Sequence, residues 1–361
     1  MRRPGASGGA PQSRVALKPK AAAFAQCLIR WQRLHGRRDL PWQNTRDPYR
    51  IWLSEVMLQQ TQVATVIPYY QRFLERFADV RSLAGADLEE VLALWSGLGY
   101  YSRARNLQSA ARQVVARGGF PDTREELELL RGVGRSTAAA IAVFAAGKRE
   151  AILDGNVKRV LARHFAIEGF PGDAAVAQRL WLLAESLLPA SGIESYTQAL
   201  MDLGATVCTR SRPRCHDCPL KASCLALAEN RIAALPGRRV RKPLPRKETA
   251  MPILLHGDRV LLVRRPETGI WGGLLCLPEF SDLAQALQLS PARYGCEIDS
   301  HRLLAPLAHG FTHYSLTIHA AVCRVRGVRP HAAESGAIWL PLASALKASI
   351  PAPVRTLLRG L

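Results

Sequence analysis

Long apolar runs are missing from this sequence. The longest, Ala138–Ala146, has nine residues, and a helix needs about 20 to cross a bilayer, so no membrane span is expected. No apolar segment follows the basic N-terminus, so no secretory signal is expected either. Acidic residues are scarce. Asp and Glu number 29 against 49 Lys and Arg, a net charge of +20. Such an excess favours a polyanion through counterion release. Nucleic acid leads over a membrane surface because no amphipathic basic helix is visible. Part of the excess lies in residues 1–20 and 231–247, which hold no acid at all, yet the remainder is still positive. A spread disulfide framework is also missing. Of eight cysteines, Cys208, Cys215, Cys218 and Cys224 are bunched and the others scattered, which reads as a metal or cluster site in a reducing cytoplasm.

Hydrophobic residues make up 48% of the 361, enough for a core and for two domains. Residues 1–20 are expected to be a disordered basic tail, rich in Gly, Pro, Ser and Arg over 1–15. From 21 to 230 the texture is helical. Apolar residues recur at three and four spacing in Ile51–Leu58, Val63–Phe77, Leu88–Trp95, Leu107–Val115, Glu125–Leu130, Thr137–Ala146 and Leu180–Leu188. Residues 231–248, with Pro236, Pro243 and Pro245 among basic residues, read as a linker. Beyond it, Pro252–Leu255 and Val260–Arg264 flank a His256-Gly257-Asp258 turn, and Tyr314–Val322 alternates like a half-buried strand. Ser281–Leu289 and Pro353–Arg359 read as helices. The expected fold is a mainly α region followed by a smaller α+β domain over 249–361.

Two motifs carry chemistry. Leu130-Arg131-Gly132-Val133-Gly134-Arg135-Ser136-Thr137 ends one helix and opens the next. Its glycines permit a tight hairpin, and the free N–H groups at a helix start suit a phosphate. The alternative is an ordinary capped turn. The second motif is Cys208-x6-Cys215-x2-Cys218-x5-Cys224. It departs from the paired spacing of zinc ribbons and favours an iron–sulfur cluster held by all four thiolates, with structural zinc the alternative.

The string Trp52-Leu53-Ser54-Glu55-Val56-Met57-Leu58-Gln59-Gln60-Thr61-Gln62-Val63 and the segment Leu153-Asp154-Gly155-Asn156-Val157-Lys158-Arg159-Val160 resemble, in order, the glutamate and aspartate segments of MutY-type bacterial adenine DNA glycosylases. The hairpin and cysteine spacing resemble the same helix-hairpin-helix superfamily. The resemblance runs from about residue 22 to 230 and more loosely beyond. It implies a six-helix domain plus an iron–sulfur domain with its loop at 208–224, then a domain related to nucleotide pyrophosphohydrolases. It implies one [4Fe-4S] cluster on the four cysteines. It also implies a monomer acting on double-stranded DNA that holds adenine opposite 8-oxoguanine or guanine, in a bacterial cytoplasm at the nucleoid.

Glu55 has Ile51, Trp52 and Leu58 as helical neighbours, surroundings that keep a carboxyl protonated. By resemblance it protonates the adenine ring. Asp154 reads equally as a helix N-cap and, by resemblance, as the carboxylate that meets the sugar cation, oriented by Asn156. Endonuclease III-type lyases carry a Schiff-base lysine where Ser136 stands, so a glycosylase without strand cleavage is expected. The resemblance gives DNA contacts to Gln60, Thr61, Tyr100, Gly132, Gly134 and Ser136. It lines the adenine pocket with Leu40, Trp42, Gln43 and Gln198, and gives lesion recognition to Phe311, Thr312 and His313. Arg131, Ala308 and Thr312 depart from the residues of many relatives. The stretch Pro278–Leu289 has only Glu279 and Asp282 as acids, too few to hold a hydrolase's magnesium. The competing readings are an endonuclease III-like lyase on oxidised pyrimidines, a non-catalytic iron–sulfur DNA-binding module, and a nucleotide hydrolase.

Overall fold

The computed structural model describes residues 17–239, 243–329 and 336–361. Of the expected tail, residues 1–16 lie outside the described residues, and 17–20 belong to the first helix. The helices are α1 (Leu17–His35), α2 (Pro48–Leu58), α3 (Val63–Arg76), α4 (Val80–Gly85), α5 (Leu88–Trp95), α6 (Ser102–Ala116), α7 (Arg124–Glu128), α8 (Arg135–Ala146), α9 (Gly155–His164), α10 (Ala174–Ser186), α11 (Ile193–Asp202) and α12 (Leu225–Ala228). Then follow β1 (Arg246–His256), β2 (Arg259–Arg264), β3 (Leu275–Cys276), α13 (Leu283–Tyr294), β4 (Cys296–Leu303), β5 (Leu307–Gly310), β6 (Ser315–Val328), β7 (Ala337–Pro341), α14 (Leu342–Lys347) and α15 (Ala352–Arg359). Among the described residues no helix is long and apolar enough to cross a membrane.

By compactness the chain divides into residues 1–59 with 116–240, and 60–115 with 241–361. In the first unit α2 begins at the Asp47 cap, whose carboxylate accepts from Tyr49 N, with Pro48 in the first turn. Its Ile51, Trp52, Leu53, Val56 and Met57 are buried, so Glu55 rides on a helix that is apolar nearly all round. The alanines of α8 (Ala138, Ala139, Ala140, Ala142) are buried too. Small side chains let α2 approach α8, and Gln59 Nε2 donates to Thr137 Oγ1 (3.4 Å). Leu28 and Trp31 of α1, Leu153, Val157 and Leu161 about α9, and Tyr196, Leu200 and Leu203 about α11 share one core. The unit's C-terminal end is packed as well: Leu235, within the expected linker, is buried and its carbonyl accepts from Arg163 Nε (2.9 Å).

In the second unit β1 runs parallel to β6 through ten residue pairs and antiparallel to β2, within the order β3-β2-β1-β6-β4. The hairpin turns at His256-Gly257-Asp258 as its sequence predicts. One face packs on α14 and α15 through Met251, Ile253, Leu316, Ile318 and Val354; the other packs on α13 through Leu254, Ala321, Cys323 and Ala286. This is an α+β domain with a mixed sheet. α13 starts at the Asp282 cap and runs past the expected Leu289, through Pro291, to a left-handed Gly295. Helices α3–α6 belong to this unit. Arg355 donates to Ser96 Oγ (2.8 Å), Arg105 to the Gly272 carbonyl, and Arg264 pairs with Glu89.

Candidate active site

Within the first unit, α2 and the start of α9 bring Glu55 and Asp154 together. Burial raises the Glu55 carboxyl to about 8, and the charge of Asp154 adds to the rise. Asp154 caps α9 in extended geometry, and its Oδ1 accepts from Val157 N at 2.7 Å. Burial pushes it up as well. The main-chain N–H groups of Val157 and Asn156, and then Arg159 and Lys158, pull the other way. Both acids are therefore raised and titrate as a coupled pair. Asn156 acts on Asp154 through its main-chain N–H, while its side-chain oxygen accepts from Arg159 Nη2 (2.8 Å). Past α11 the chain makes a π turn over Leu203–Val207. There Gly204 lies so close to Asn156 that a Cβ on it would stand 2.5 Å from the Asn156 Cβ.

The hairpin joins α7 to α8. Gly132 takes φ 80° and Gly134 caps α8 without any side-chain bond. A Cβ on Gly134 would meet nothing within 4 Å, so this helix start opens outward as an anion site requires. Ser136 turns inward: its Oγ accepts from Leu153 N (2.9 Å), the residue before Asp154.

The expected pocket residues lie on two stretches of the chain, residues 40–43 and helix α11. Glu194, Gln198 and Asp202 follow one stripe of α11 at four-residue spacing. Arg46 binds Glu194 (2.8 Å) and Arg37 binds Asp202 (2.7 Å). The segment that holds Leu40, Trp42 and Gln43 is thus tied to α11 at both of its ends.

The four bunched cysteines line one small cavity with Arg163 and Leu220. Burial pushes Cys218 up to about 12, the crowding of Cys208, Cys224 and Cys215 adding to it. Burial also raises Cys215 and Cys224. Arg163 reaches the Cys208 Sγ (3.4 Å) and the Thr209 carbonyl (2.7 Å), and Arg159 the carbonyls of Cys208 (2.7 Å) and Gly204 (2.6 Å). Among the described residues no three His, Cys, Asp or Glu side chains converge as a single metal ion requires. Four thiols around a cavity, crowded as anions and backed by a cation, suit a larger cationic group.

In the second unit Gln60 and Tyr100 both adopt left-handed backbone without being glycine, at φ 56° and 49°. Such strain gathers at functional sites. The Tyr100 ring is 42% exposed. Beneath it the buried Arg103 donates to Thr61 Oγ1 (3.1 Å) and to the carbonyls of Leu98 and Gly99, its guanidinium against the Tyr100 ring. Tyr101 is half-buried and reaches the Ile350 carbonyl. Tyr100, Arg105, Trp271, Phe311, Thr312 and His313 line a cleft of about 1140 Å³ counting its mouth. Phe311 packs on Trp271, His309 and Tyr314, and Phe311 N bonds the Tyr314 carbonyl, so Thr312 and His313 form the exposed tip. The sequence reading missed Trp271, Arg105, Asp202 and Arg37. Only Trp271 left a signal, in Gly269-Ile270-Trp271-Gly272-Gly273.

A buried, coupled acid pair beside a hairpin, with a second α+β domain, defines the class as a helix-hairpin-helix DNA glycosylase with an appended domain. Residues 53–186 match the HhH-GPD superfamily of base excision DNA repair proteins, and residues 249–360 the NUDIX domain. The structure is similar to a thermostable thymine-DNA glycosylase (30% identity, TM-score 0.54, 59% of this chain and 99% of that one). It shares its fold with endonuclease III in a trapped DNA covalent intermediate (23%, TM-score 0.50, 58% and 98%). An adenine DNA glycosylase of Buchnera aphidicola (subsp. Acyrthosiphon pisum) is 36% identical over 93% of this chain and 97% of its own. One of Homo sapiens is 37% identical over 89% and 70%. The chain belongs to the family of adenine DNA glycosylases, enzymes that excise adenine in base excision repair.

Proposed function

We propose that this enzyme releases adenine mispaired with 8-oxoguanine, and with guanine, from duplex DNA and leaves the strand uncut. The observation that carries the reading is the coupled pair of Glu55, held protonated at neutral pH, and Asp154 at a helix start. The glycosidic bond is hidden in a duplex, so adenine must be extruded. Gln60 and Tyr100 enter the duplex, Thr61 steadies Arg103 beneath Tyr100, and the main chain about Gly132, Gly134 and Ser136 takes phosphate. Glu55 gives its proton to an adenine ring nitrogen. The glycosidic electron pair leaves with the base, and C1′ becomes an oxocarbenium centre. Asp154, poised by Asn156, stabilises that cation or bonds to it. Water, deprotonated by Glu55, then completes an abasic site. Ser136 has no amine for a Schiff base, so β-elimination does not follow.

The lesion is read in the second unit. Thr312 and His313 at the tip, and Phe311 behind them, offer a hydroxyl, an imidazole and a ring face to an oxidised guanine. Helix α13 carries no acid and Glu279 is spent on Arg265 (2.6 Å), which leaves the hydrolase reading without a magnesium site. Along the chain we assign 21–230 to the glycosylase, 231–248 to the linker and 249–361 to lesion recognition. Cys208, Cys215, Cys218 and Cys224 would hold one [4Fe-4S] cluster, whose contribution is to cross-link the loop 208–224. The enzyme works as a monomer on DNA, in the bacterial cytoplasm at the nucleoid.

The test is single-turnover base release from A:8-oxoguanine, A:G and C:8-oxoguanine duplexes. Adenine is expected from the first two, fastest from the first, with nothing from the third. Equal rates on A:8-oxoguanine and an A:T duplex overturn the reading. Visible absorbance with iron and sulfide assays tests the cluster, and zinc in their place overturns it.

A further inference from the structure

Arg163 lies near the end of α9 and is 3% exposed. A cation buried to that degree is ordinarily paired with an anion, since arginine does not shed its proton. Among the described residues no carboxylate pairs with it. Its Nε donates to the Leu235 carbonyl (2.9 Å), Nη1 to the Thr209 carbonyl (2.7 Å) and Nη2 to the Arg210 carbonyl (3.1 Å). Nη1 also reaches the Cys208 Sγ at 3.4 Å. Among the described residues no other guanidinium donates to a sulfur of the four bunched cysteines. Arg159, one turn earlier, holds the Cys208 carbonyl instead (2.7 Å). The Cys224 Sγ stands 3.7 Å from the carbonyl of Arg163 itself. The anion that this buried cation faces is therefore sulfur, once the cysteines are thiolates.

We propose that Arg163 is the positioning residue of the cysteine site: it fixes the Cys208 thiolate and raises the reduction potential of the group that the four thiolates would hold. An added electron makes a thiolate-ligated site one charge more negative, and a fixed cation beside one ligand favours that form. A hydrogen bond to a ligand sulfur acts in the same direction. Neither water nor salt screens a guanidinium this deeply buried as it would one at the surface. The same contact opposes loss of an electron, and so protects the site from oxidation. The inference rests on the proposed [4Fe-4S] cluster, since a zinc ion would have no potential to tune.

The experiment is voltammetry of the iron-loaded full chain, the electrode supplying the electron, together with iron release to a chelator. Arg163→Gln removes the charge and is expected to shift the potential negative and to speed iron release about tenfold or more. Arg163→Lys keeps the charge but cannot fork among three carbonyls. Its melting temperature is expected to fall as in Arg163→Gln, while its potential stays near the parent's, a split that a merely structural role would not produce. Should Arg163→Gln fail to load iron, the parent protein decides: with ¹⁵N-labelled arginine, pulsed electron paramagnetic resonance of the one-electron-reduced state is expected to show coupling to an arginine nitrogen. An unchanged potential in Arg163→Gln, an equal shift in Arg163→Lys, or no such coupling overturns the inference and leaves the cluster standing. Zinc in place of iron and sulfide in the parent protein overturns both.

Discussion

Asp154 and Asp282 begin α9 and α13 with the same bond: the carboxylate accepts the main-chain N–H three residues on, at 2.7 Å from Val157 and 2.8 Å from Gln285. Asp282 moves below the usual carboxylate range, because the Gln285 and Ser281 bonds act on it with little opposition. Asp154 moves up, because burial outweighs two main-chain bonds and two cations. One local motif therefore gives a plain cap on the open side of a sheet domain and a strained acid in the glycosylase unit. Capping and the catalytic role proposed for Asp154 are therefore compatible, since burial sets this cap apart from that of Asp282.

The largest expected effect sharpens this contrast. Asp154→Asn and Glu55→Gln should each slow adenine release by about 10²–10⁴-fold, whereas Asp282→Asn stays within about twofold, since Asn caps nearly as well as Asp. Single-turnover assays of the three variants decide it. A comparable loss in Asp282→Asn would mean that cap geometry, not burial, sets the rate. The two units also differ in what a glycine is for. Gly204→Ala drives a methyl into Asn156 and should lower stability by about 1–3 kcal/mol in denaturant unfolding. Gly310→Ala, which meets nothing within 4 Å, should change it by under about 0.5 kcal/mol.

The pH dependence has a definite sign. Glu55 must be protonated to act, so release should fall about tenfold per pH unit above about pH 8. Its folded value lies above the ordinary value of 4.5, so the folded state holds a proton that the unfolded chain sheds. Between pH 4.5 and 8 this increasingly opposes folding, and below 4.5 the effect vanishes. Glu55→Gln should therefore be more stable than the parent at about pH 7, by on the order of 1 kcal/mol, and no more stable at about pH 4, as melting curves at both values would reveal. Among the changes that remove a contact, Ser136→Ala is expected to be the mildest. It strips the acceptor from Leu153 N and should cost about 1 kcal/mol and a few-fold in rate; an unchanged rate would unlink the hairpin from Asp154.

Helices α2, α3, α5 and α8 and the β1–β2 hairpin were legible because each carries a local signal, apolar spacing or a Gly-centred turn. Helix α4 is too short to show a period. The extension of α13 through Pro291 was hidden because proline reads as a stop, yet the helix runs on to Tyr294. Glu55 and Asp154 were singled out through the motifs that carry the resemblance, and the structure buries the two within reach of each other. The Arg37–Asp202 pair was not legible, because the two are distant in the chain and nothing local in either marks a partner. The strain at Gln60 and Tyr100 was equally silent, since neither residue type advertises left-handed backbone as glycine does.

That strain bears on the role proposed for Tyr100. The Tyr100 backbone holds its unusual conformation with no duplex present, its ring gripped from below by Arg103, so the insertion proposed for it would start from a loop already set.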